Sequence, residues 1–582
     1  MAGTANGGKG DPSQPKEMSM EVRLLLAFLL MGAVMFVTPY FFKTVSPPVP
    51  PKKTPAPVTQ VASKPPEAEP SAAEPSAAET PPAAKAARSS RIPPEAAATP
   101  QHAQPPFVIE TNLYRIVFTN HGAAVESWQL KKYKGNDNKP LELTNTATRI
   151  GRPFSLYFPG TQPATDVNWE YYAQEPDADG MGVTYTYTDG HTRVHKVFKF
   201  QKNSYLAQIS SEVTLDGKPL TNLIAWRGGF GDFTVGSPSS AESSLHFDLA
   251  NNKLVEQRLK SGTASVTGDF SFAGLADKYF AAVFLPAANT QTEMVTFADT
   301  ERTPLEEKNY PFVGAAVSDG PENRFRLYVG PKDVNLLKSI DPKLEQVVDF
   351  GWLSFLAKPL FLIVNWFNGS YIHNFGWSIV LVTIAINMIL FPIKLSNMKS
   401  MRKMQALKPQ IDTINAKYKN VGLRDPKKAE QNQEVMDLYK RNGVNPMGGC
   451  FPMLIQIPFF IAFYKVFTVS VEMRGASWLW VPDLSQAEPW PIKVLPIIMI
   501  ASQFYMQKMT PQPTQDPSQA KMMKLMPLIF GFMFYNFPSG LVLYYLTSNL
   551  VSMGQQWFFN HTETAQEVAR SVEPPKKKNV RK

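Results

Sequence analysis

Two periodicities divide this chain. Between Phe107 and Val348 apolar and polar residues alternate in short runs: LYRIVF at 113–118, VTYTYT at 183–188, RVHKVFKF at 193–200 and FRLYVG at 325–330. Turn signals separate them, such as GNDN at 135–138 and TDG at 188–190. A period of two interrupted by regular turns predicts an antiparallel β-sandwich over 107–348. From about residue 350 the runs become long and apolar. Gly376–Lys394 is nearly long enough to cross a bilayer, which takes about 20 residues. It carries Thr383 and Asn387 four apart, on one helix face with Gly376 and Lys394. A membrane helix turns such a stripe toward protein or a water-filled cavity, not toward lipid. The plainer alternative is one interhelical hydrogen bond from Asn387, about 0.6–2 kcal/mol.

Four more apolar runs follow, Gly448–Val471, Ile492–Gln507, Met522–Phe537 and Gly540–Phe559, and each holds polar residues. Gln456 and Tyr464 mark the first of them, and Gln503 and Gln507 share a face of the second. Tyr545, Asn549, Ser552 and Gln556 form a stripe along the last. Several striped helices together can line a hydrophilic groove, a channel or a transporter site. With Val22–Phe42 as a further span the count is six. The expected fold class is an α+β membrane protein: a polytopic α-helical core of six spans beside a large extracytoplasmic antiparallel β-sandwich.

The remaining segments fill in the order. Residues 1–21 read as a polar cytoplasmic tail, and 22–42 as an uncleaved transmembrane signal anchor. A cleaved signal peptide fits less well, because the run is long and no A-x-A pattern follows it. Residues 43–106 are Pro- and Ala-rich, with PSAAE at 70–74 and again at 75–79, too poor in large apolar residues to fold alone. The stretch 350–370 is aromatic and broken by Lys358–Pro359, and reads as an interfacial amphipathic helix; a full extra span would invert everything downstream. Span 2 is set at 376–394. Residues 395–445 predict a cytoplasmic helical hairpin. Met401, Met404, Leu407, Ile411, Ile414 and Tyr418 recur at helical spacing on one arm, and Val435, Met436 and Tyr439 on the other. Asn420–Arg424 makes the turn, and Asp425 with Pro426 starts the second arm. Spans 3–6 occupy 446–560, and 561–582 is a basic cytoplasmic tail.

Charge and composition sharpen this. The formal net charge is +10, but from Lys394 to Asn445 alone 12 Lys and Arg face 5 Asp and Glu. A short loop with that excess belongs in the cytoplasm. The single cysteine, Cys450, excludes an intramolecular disulfide and any multi-cysteine zinc site. His191 and His195 fall on one predicted strand face, but no third ligand stands out, so no metal site is expected. No nucleophile motif or phosphate loop is evident, so no catalytic residue and no cofactor is expected either. Of 23 Met residues, 16 lie in 350–560, and Met suits surfaces that accept varied apolar partners. Spans as short as about 16 residues reach only about 24 Å against a hydrocarbon core of about 30 Å. A basic, Met-rich mouth, a wet groove and a thinned bilayer suit a device that handles apolar peptide segments.

The strings NPMGGCFPMLIQIPFF at 445–460, FPSGLVLYYLTSNLVSMGQQ at 537–556 and GWLSFLAKPLF at 351–361 resemble the YidC family of bacterial membrane protein insertases. The anchor, tether and large β-domain resemble its Gram-negative form. The resemblance implies a non-enzymatic insertase and chaperone with a groove open to cytoplasm and lipid. It implies a noncatalytic periplasmic β-domain similar in fold to sugar-processing sandwiches. It places Thr383 and Tyr545 at positions that contact substrate, and the polar stripes add Asn387, Gln456, Tyr464, Gln503, Asn549 and Ser552 to the candidate groove. The implied partners are nascent membrane proteins, the Sec translocon and its accessory subunits, the ribosome and membrane lipids, with no small-molecule cofactor. The tail residues Lys576, Lys577, Lys578, Arg581 and Lys582 are candidates for ribosomal RNA or anionic lipid. One position departs from the family: where an arginine usually follows four residues after the threonine, this chain has Asn387. Lys394, on the same stripe, is a candidate replacement cation. The rival readings are a secondary transporter with a receptor domain and a membrane-bound carbohydrate enzyme.

Overall fold

In the computed structural model one strand, Thr263–Ala276, belongs to both layers of the β-rich half. Its first part pairs with Gln291–Arg302, from Thr263 opposite Phe297 to Asp269 opposite Gln291. Its second part pairs with Ser243–Asp248 and Phe280–Leu285. Burial changes at the same point: the first part alternates with solvent, and Phe272 to Ala276 are all buried. The sandwich read from the sequence is therefore built mainly from one 14-stranded sheet that passes from layer to layer. Ser244 Oγ meets Thr296 Oγ1 at 2.8 Å between strands that do not pair. The pairings are antiparallel. A four-stranded sheet, Phe107–Glu110, Tyr114–Thr119, Ala124–Lys134 and Pro140–Glu142, lies beside it.

The two sheets share an aromatic core. Phe118 meets Phe198 with ring centroids 5.0 Å apart, and Trp128 meets Trp226 at 6.2 Å. Lys196 is buried there without a carboxylate partner. Its Nζ donates to the carbonyls of Phe154 at 2.8 Å, Gly122 at 2.9 Å and Ala123 at 3.3 Å, and burial pushes its pKa down to about 7. His191 lies outside the strand Thr192–Phe200, exposed and 2.8 Å from Asp216 Oδ1, while His195 is inside it beside Thr186 Oγ1. The two do not form one site.

The structure describes residues 102–234, 242–304, 309–418, 427–444, 451–510 and 517–562, all within one unit, Ala96–Lys582. The N-terminal tail, the anchor at 22–42, nearly all of the linker, the hairpin turn with Asp425 and Pro426, and the basic residues Lys576 to Lys582 lie outside them. Ten α-helices follow the strands among the described residues: α1 Val334–Ile340, α2 Ser354–Phe367, α3 Phe375–Ile389, α4 Phe391–Ala406, α5 Lys408–Lys417, α6 Lys427–Arg441, α7 Phe451–Val469, α8 Val494–Met509, α9 Pro517–Phe534 and α10 Ser539–His561.

The predicted span Gly376–Lys394 is not one helix. It breaks at Leu390, so that Asn387 sits on α3 and Lys394 on α4. Pro392 is the cause, since it offers no N–H and its ring crowds the carbonyl four residues back. Before α3 the chain turns sharply. Asn368–Ile372 forms a π turn, His373 takes a left-handed φ of 53°, and Asn374 caps α3 by accepting from Trp377 N. Ser354–Ile372 and Phe375–Ile389 meet at a 119° bend, and together they are long and apolar enough to cross a membrane. Among the described residues no single helix is.

The basic segment forms the predicted antiparallel pair, with its first arm broken at Leu407 before Pro409. Met401, Met404, Leu407 and Ile411 pack on Val435, Tyr439 and Val444. Leu438 joins this core, whereas Met436 stays half-buried outside it. Two of the methionines read as part of an adaptable mouth are thus core residues of the hairpin.

Candidate functional site: a polar seam around Asn387 and Lys394

The helix α10 packs against α3, α7 and α8, which places it at the centre of the helical half. A helix packed on several sides can serve several neighbours with its polar residues, while Leu550, Trp557 and Phe558 keep an exposed apolar face. This corrects the single stripe read from the sequence. Toward α3 and α4 it offers Ser548, Ser552 and Gln555. Toward α7 it offers Tyr544, toward α8 Asn549, and toward α9 Tyr545.

The first of these contacts is the densest. Lys394 Nζ donates to Asn387 Oδ1 at 2.5 Å and to Ser552 Oγ at 2.9 Å. Ser548 Oγ donates to the same Asn387 oxygen at 3.3 Å. Gln555 Nε2 donates to the Asn387 carbonyl at 3.0 Å, and Asn387 Nδ2 donates to the Thr383 carbonyl at 2.8 Å. No carboxylate pairs with Lys394 among the described residues. A protonated amine here is held by neutral oxygens alone, which solvate it without cancelling its charge.

The other predicted residues are distributed. Thr383 is fully buried, and its hydroxyl is used by the Ile379 carbonyl at 2.6 Å. Gln456 Nε2 donates to Tyr544 Oη at 2.7 Å. Gln456 and Lys394 also line one concavity, with Leu390, Ile393 and Ile455. Asn549 Nδ2 donates to Ser502 Oγ at 3.1 Å, on the α8 side. Tyr545 packs its ring on Phe534 at 4.9 Å and Tyr464 packs on Phe537 at 5.7 Å. Gln503 Oε1 is buried with no hydrogen-bond partner among the described residues. Lys394, Asn387, Ser552 and Gln456 thus stand together, and Asn549, Gln503, Tyr464 and Tyr545 lie on other sides of α10. Tyr544, Ser548 and Gln555 were missed. The spacing Ser548, Ser552, Gln555 is itself a helical stripe, one position from the one chosen.

A broken, polar-seamed helix bundle attached to a large antiparallel β-domain defines a class: membrane proteins whose core carries a hydrophilic interior toward peptide or solute. The comparisons specify it. The family described as 60Kd inner membrane protein matches residues 366–567, and the one described as YidC periplasmic domain matches 107–363. Membrane protein insertase YidC of Syntrophus aciditrophicus is 34% identical over 574 residues, covering 93% of this chain and 99% of the relative. That of Geotalea daltonii is 33% identical over 570 residues, with coverage of 93% and 99%. A solved active YidC insertase with its first transmembrane domain resolved aligns at 21% identity and a TM-score of 0.35, over 80% of this chain and 95% of that one. That likeness is too loose to carry geometry across. The chain belongs to the YidC family of membrane protein insertases, which act without enzymatic catalysis, and the transporter and carbohydrate-enzyme readings lose their support.

The seam changes what substitution at Asn387 should do. Leucine removes one of the two acceptors of a half-buried amine, and hydrogen bonds to charged groups are worth about 1.5–3 kcal/mol. Arginine, the residue the family usually has at this position, would set a second cation against Lys394. Asn387→Arg should therefore lower thermal stability and insertion yield, and Asn387→Arg with Lys394→Gln should recover most of both. Melting and liposome insertion of the two variants in one lipid mixture check this. Full tolerance of the single arginine variant would show that the amine of Lys394 does not occupy the seam.

Proposed function

We propose that the chain inserts nascent transmembrane segments through a hydrophilic groove whose fixed cation is Lys394. The observation that carries this reading is the 2.5 Å contact of Lys394 Nζ with Asn387 beside the concavity that Lys394 shares with Gln456. The polar flank of a substrate must cross part of the bilayer. On insertion scales a charged side chain at the centre of a membrane helix costs about 2.5–3.5 kcal/mol. A seam of hydroxyls, amides and one ammonium lowers that cost and favours acidic flanks over basic ones. Thr383, Gln503, Asn549 and Tyr545 contribute to the same groove as α10 shifts against its neighbours, and the apolar segment leaves toward lipid.

The placement in the membrane is part of the proposal. The chain resides in the bacterial inner membrane with its β-domain in the periplasm. The N-terminus, the 395–445 hairpin and the C-terminal tail lie in the cytoplasm, and six segments span or anchor. Helix α2 lies along the outer surface, where exposed Trp352, Phe355 and Trp366 meet the headgroup region. The short helices thin the bilayer over the groove. The Sec translocon with its accessory subunits, the ribosome and anionic lipid are the proposed partners. The tail from Lys576 to Lys582 contributes about 1 kcal/mol per basic residue near a charged membrane.

Purified protein in liposomes, given ribosome-bound single-span substrates that differ only in flank charge, tests the groove. Lys394→Met should lower insertion of the acidic-flank substrate about tenfold and leave a neutral one within about twofold, a difference near 1.4 kcal/mol. Equal loss for both substrates would remove the charge role. The same assay without residues 574–582, across a salt series, reads the tail, whose phosphate contacts weaken with salt. For orientation, single cysteines in a Cys450→Ser background should react with an impermeant thiol reagent only at periplasmic sites in intact spheroplasts. Outside labelling of Lys419→Cys would contradict the assignment.

A further inference from the structure

The chain that follows α7 enters the β-domain and leaves two opposite charges at the junction. Arg474, directly after the 3-10 turn Val471–Met473, places Nη2 2.6 Å from Asp232 Oδ2, with side chains 6% and 2% exposed. The same nitrogen donates to the Lys134 carbonyl at 2.8 Å. The guanidinium lies 5.4 Å from the Tyr279 ring and 5.7 Å from that of Phe280. Asp232 is fixed in turn, accepting from Thr234 N at 2.8 Å and donating its own N–H to Asp277 Oδ2 at 2.9 Å. Arg474 Nη1 is buried without a hydrogen-bond partner among the described residues, and removing one member of a buried pair is strongly destabilising.

Glu472, two residues earlier, has no such partner. Both of its carboxylate oxygens are buried without a hydrogen bond among the described residues. The groups around it are one carboxylate, two neutral phenols and one cation. Asp333, the N-cap of α1, adds a like charge, and Tyr133 on the strand Ala124–Lys134 shares the site, with Tyr205 behind it. Arg474 is the cation in this set, and Asp232 already engages it. Beyond the turn, the same loop reaches several helices. Trp478 packs over Gly376 at the start of α3, the Leu484 and Gln486 carbonyls accept from Gly540 N and Ser539 N at the start of α10, and Glu488 accepts from Leu495 N of α8.

We propose that Glu472 is a proton-operated latch between the β-domain and the insertase helices: protonated, it lets the 471–474 turn stay docked; ionised, it drives the turn out and loosens the loop. Burial raises its pKa from 4.5 to about 7, Asp333 adds to this, and the backbone N–H groups of Glu472 and Val334 offset it only in part. A carboxyl whose pKa is higher docked than released binds its proton more tightly when docked. Docking is thus strongest below about pH 4.5 and is lost progressively as pH rises through about 7. The periplasmic side follows external pH, so the latch would loosen the helices in alkaline surroundings.

Hydrogen exchange on the full-length protein in nanodiscs tests this, read in peptides over 471–474 and 332–336 and corrected for intrinsic rates. From pH 5 to pH 8 the wild type should lose up to about 100-fold of protection there. Glu472→Gln, an isosteric neutral form, should keep its protection at both pH values, and Arg474→Gln should lose it at both. Strand Phe280–Leu285 should hold its protection in the wild type and in Glu472→Gln. A Glu472→Gln profile that tracks the wild type, a wild type flat with pH, or an Arg474→Gln variant protected like the wild type would each overturn the latch.

Discussion

A half-buried amine inside an apolar helix bundle needs polar groups around it, and this requirement organises the helical half. Lys394, two turns beyond Asn387 on the same helix face, reaches back to Asn387 and across to Ser552 of α10. The interruption at Leu390 is local: Leu390 keeps a helical φ and ψ, and Lys394 N still donates to the Leu390 carbonyl. At position 387 the asparagine supplies an acceptor to the Lys394 amine.

The centrality of α10 explains why polar residues recur around it. It meets several helices, and toward α4, α7 and α8 a hydroxyl or amide finds a partner: Ser552 with Lys394, Tyr544 with Gln456, Asn549 with Ser502. Such contacts between membrane helices are individually modest, about 0.6 kcal/mol on average in one measured bundle. Modest contacts can be exchanged for contacts with a passing peptide or with water. A core knitted by strong apolar interdigitation could not open at similar cost, because close-packed interiors resist small displacements.

Much of this was legible in the residues. The strands 114–119, 182–188, 192–200 and 322–331 fall where alternation put them, because one face of each is buried and the period is two. The hairpin stripe appeared as read, since Met401, Met404, Leu407 and Ile411 face one partner. The failures share a cause. Periodicity assumes one buried face, and α10 is buried on several sides, so the chosen stripe was one of several. The interruption at Leu390 was signalled by Pro392 but overridden by the continuous apolar run. The layer-switching strand Thr263–Ala276 carried a glycine at Gly268 near the switch, and nothing local says that a strand pairs differently at its two ends. The buried Arg474–Asp232 pair joins residues too distant in sequence for any local pattern to link.

The central claim is that water reaches the concavity shared by Lys394 and Gln456 while the lipid face of α3 stays dry. A thiol reacts with maleimide only where water lets it ionise. The direct measurement is therefore the alkylation rate, in proteoliposomes and a Cys450→Ser background, of Gln456→Cys and Ser552→Cys against Leu381→Cys, whose native side chain is 40% exposed on the helix surface. The account predicts that the first two react within about tenfold of a loop control and that Leu381→Cys is nearly inert. Equal inertness at all three positions would contradict a hydrated groove.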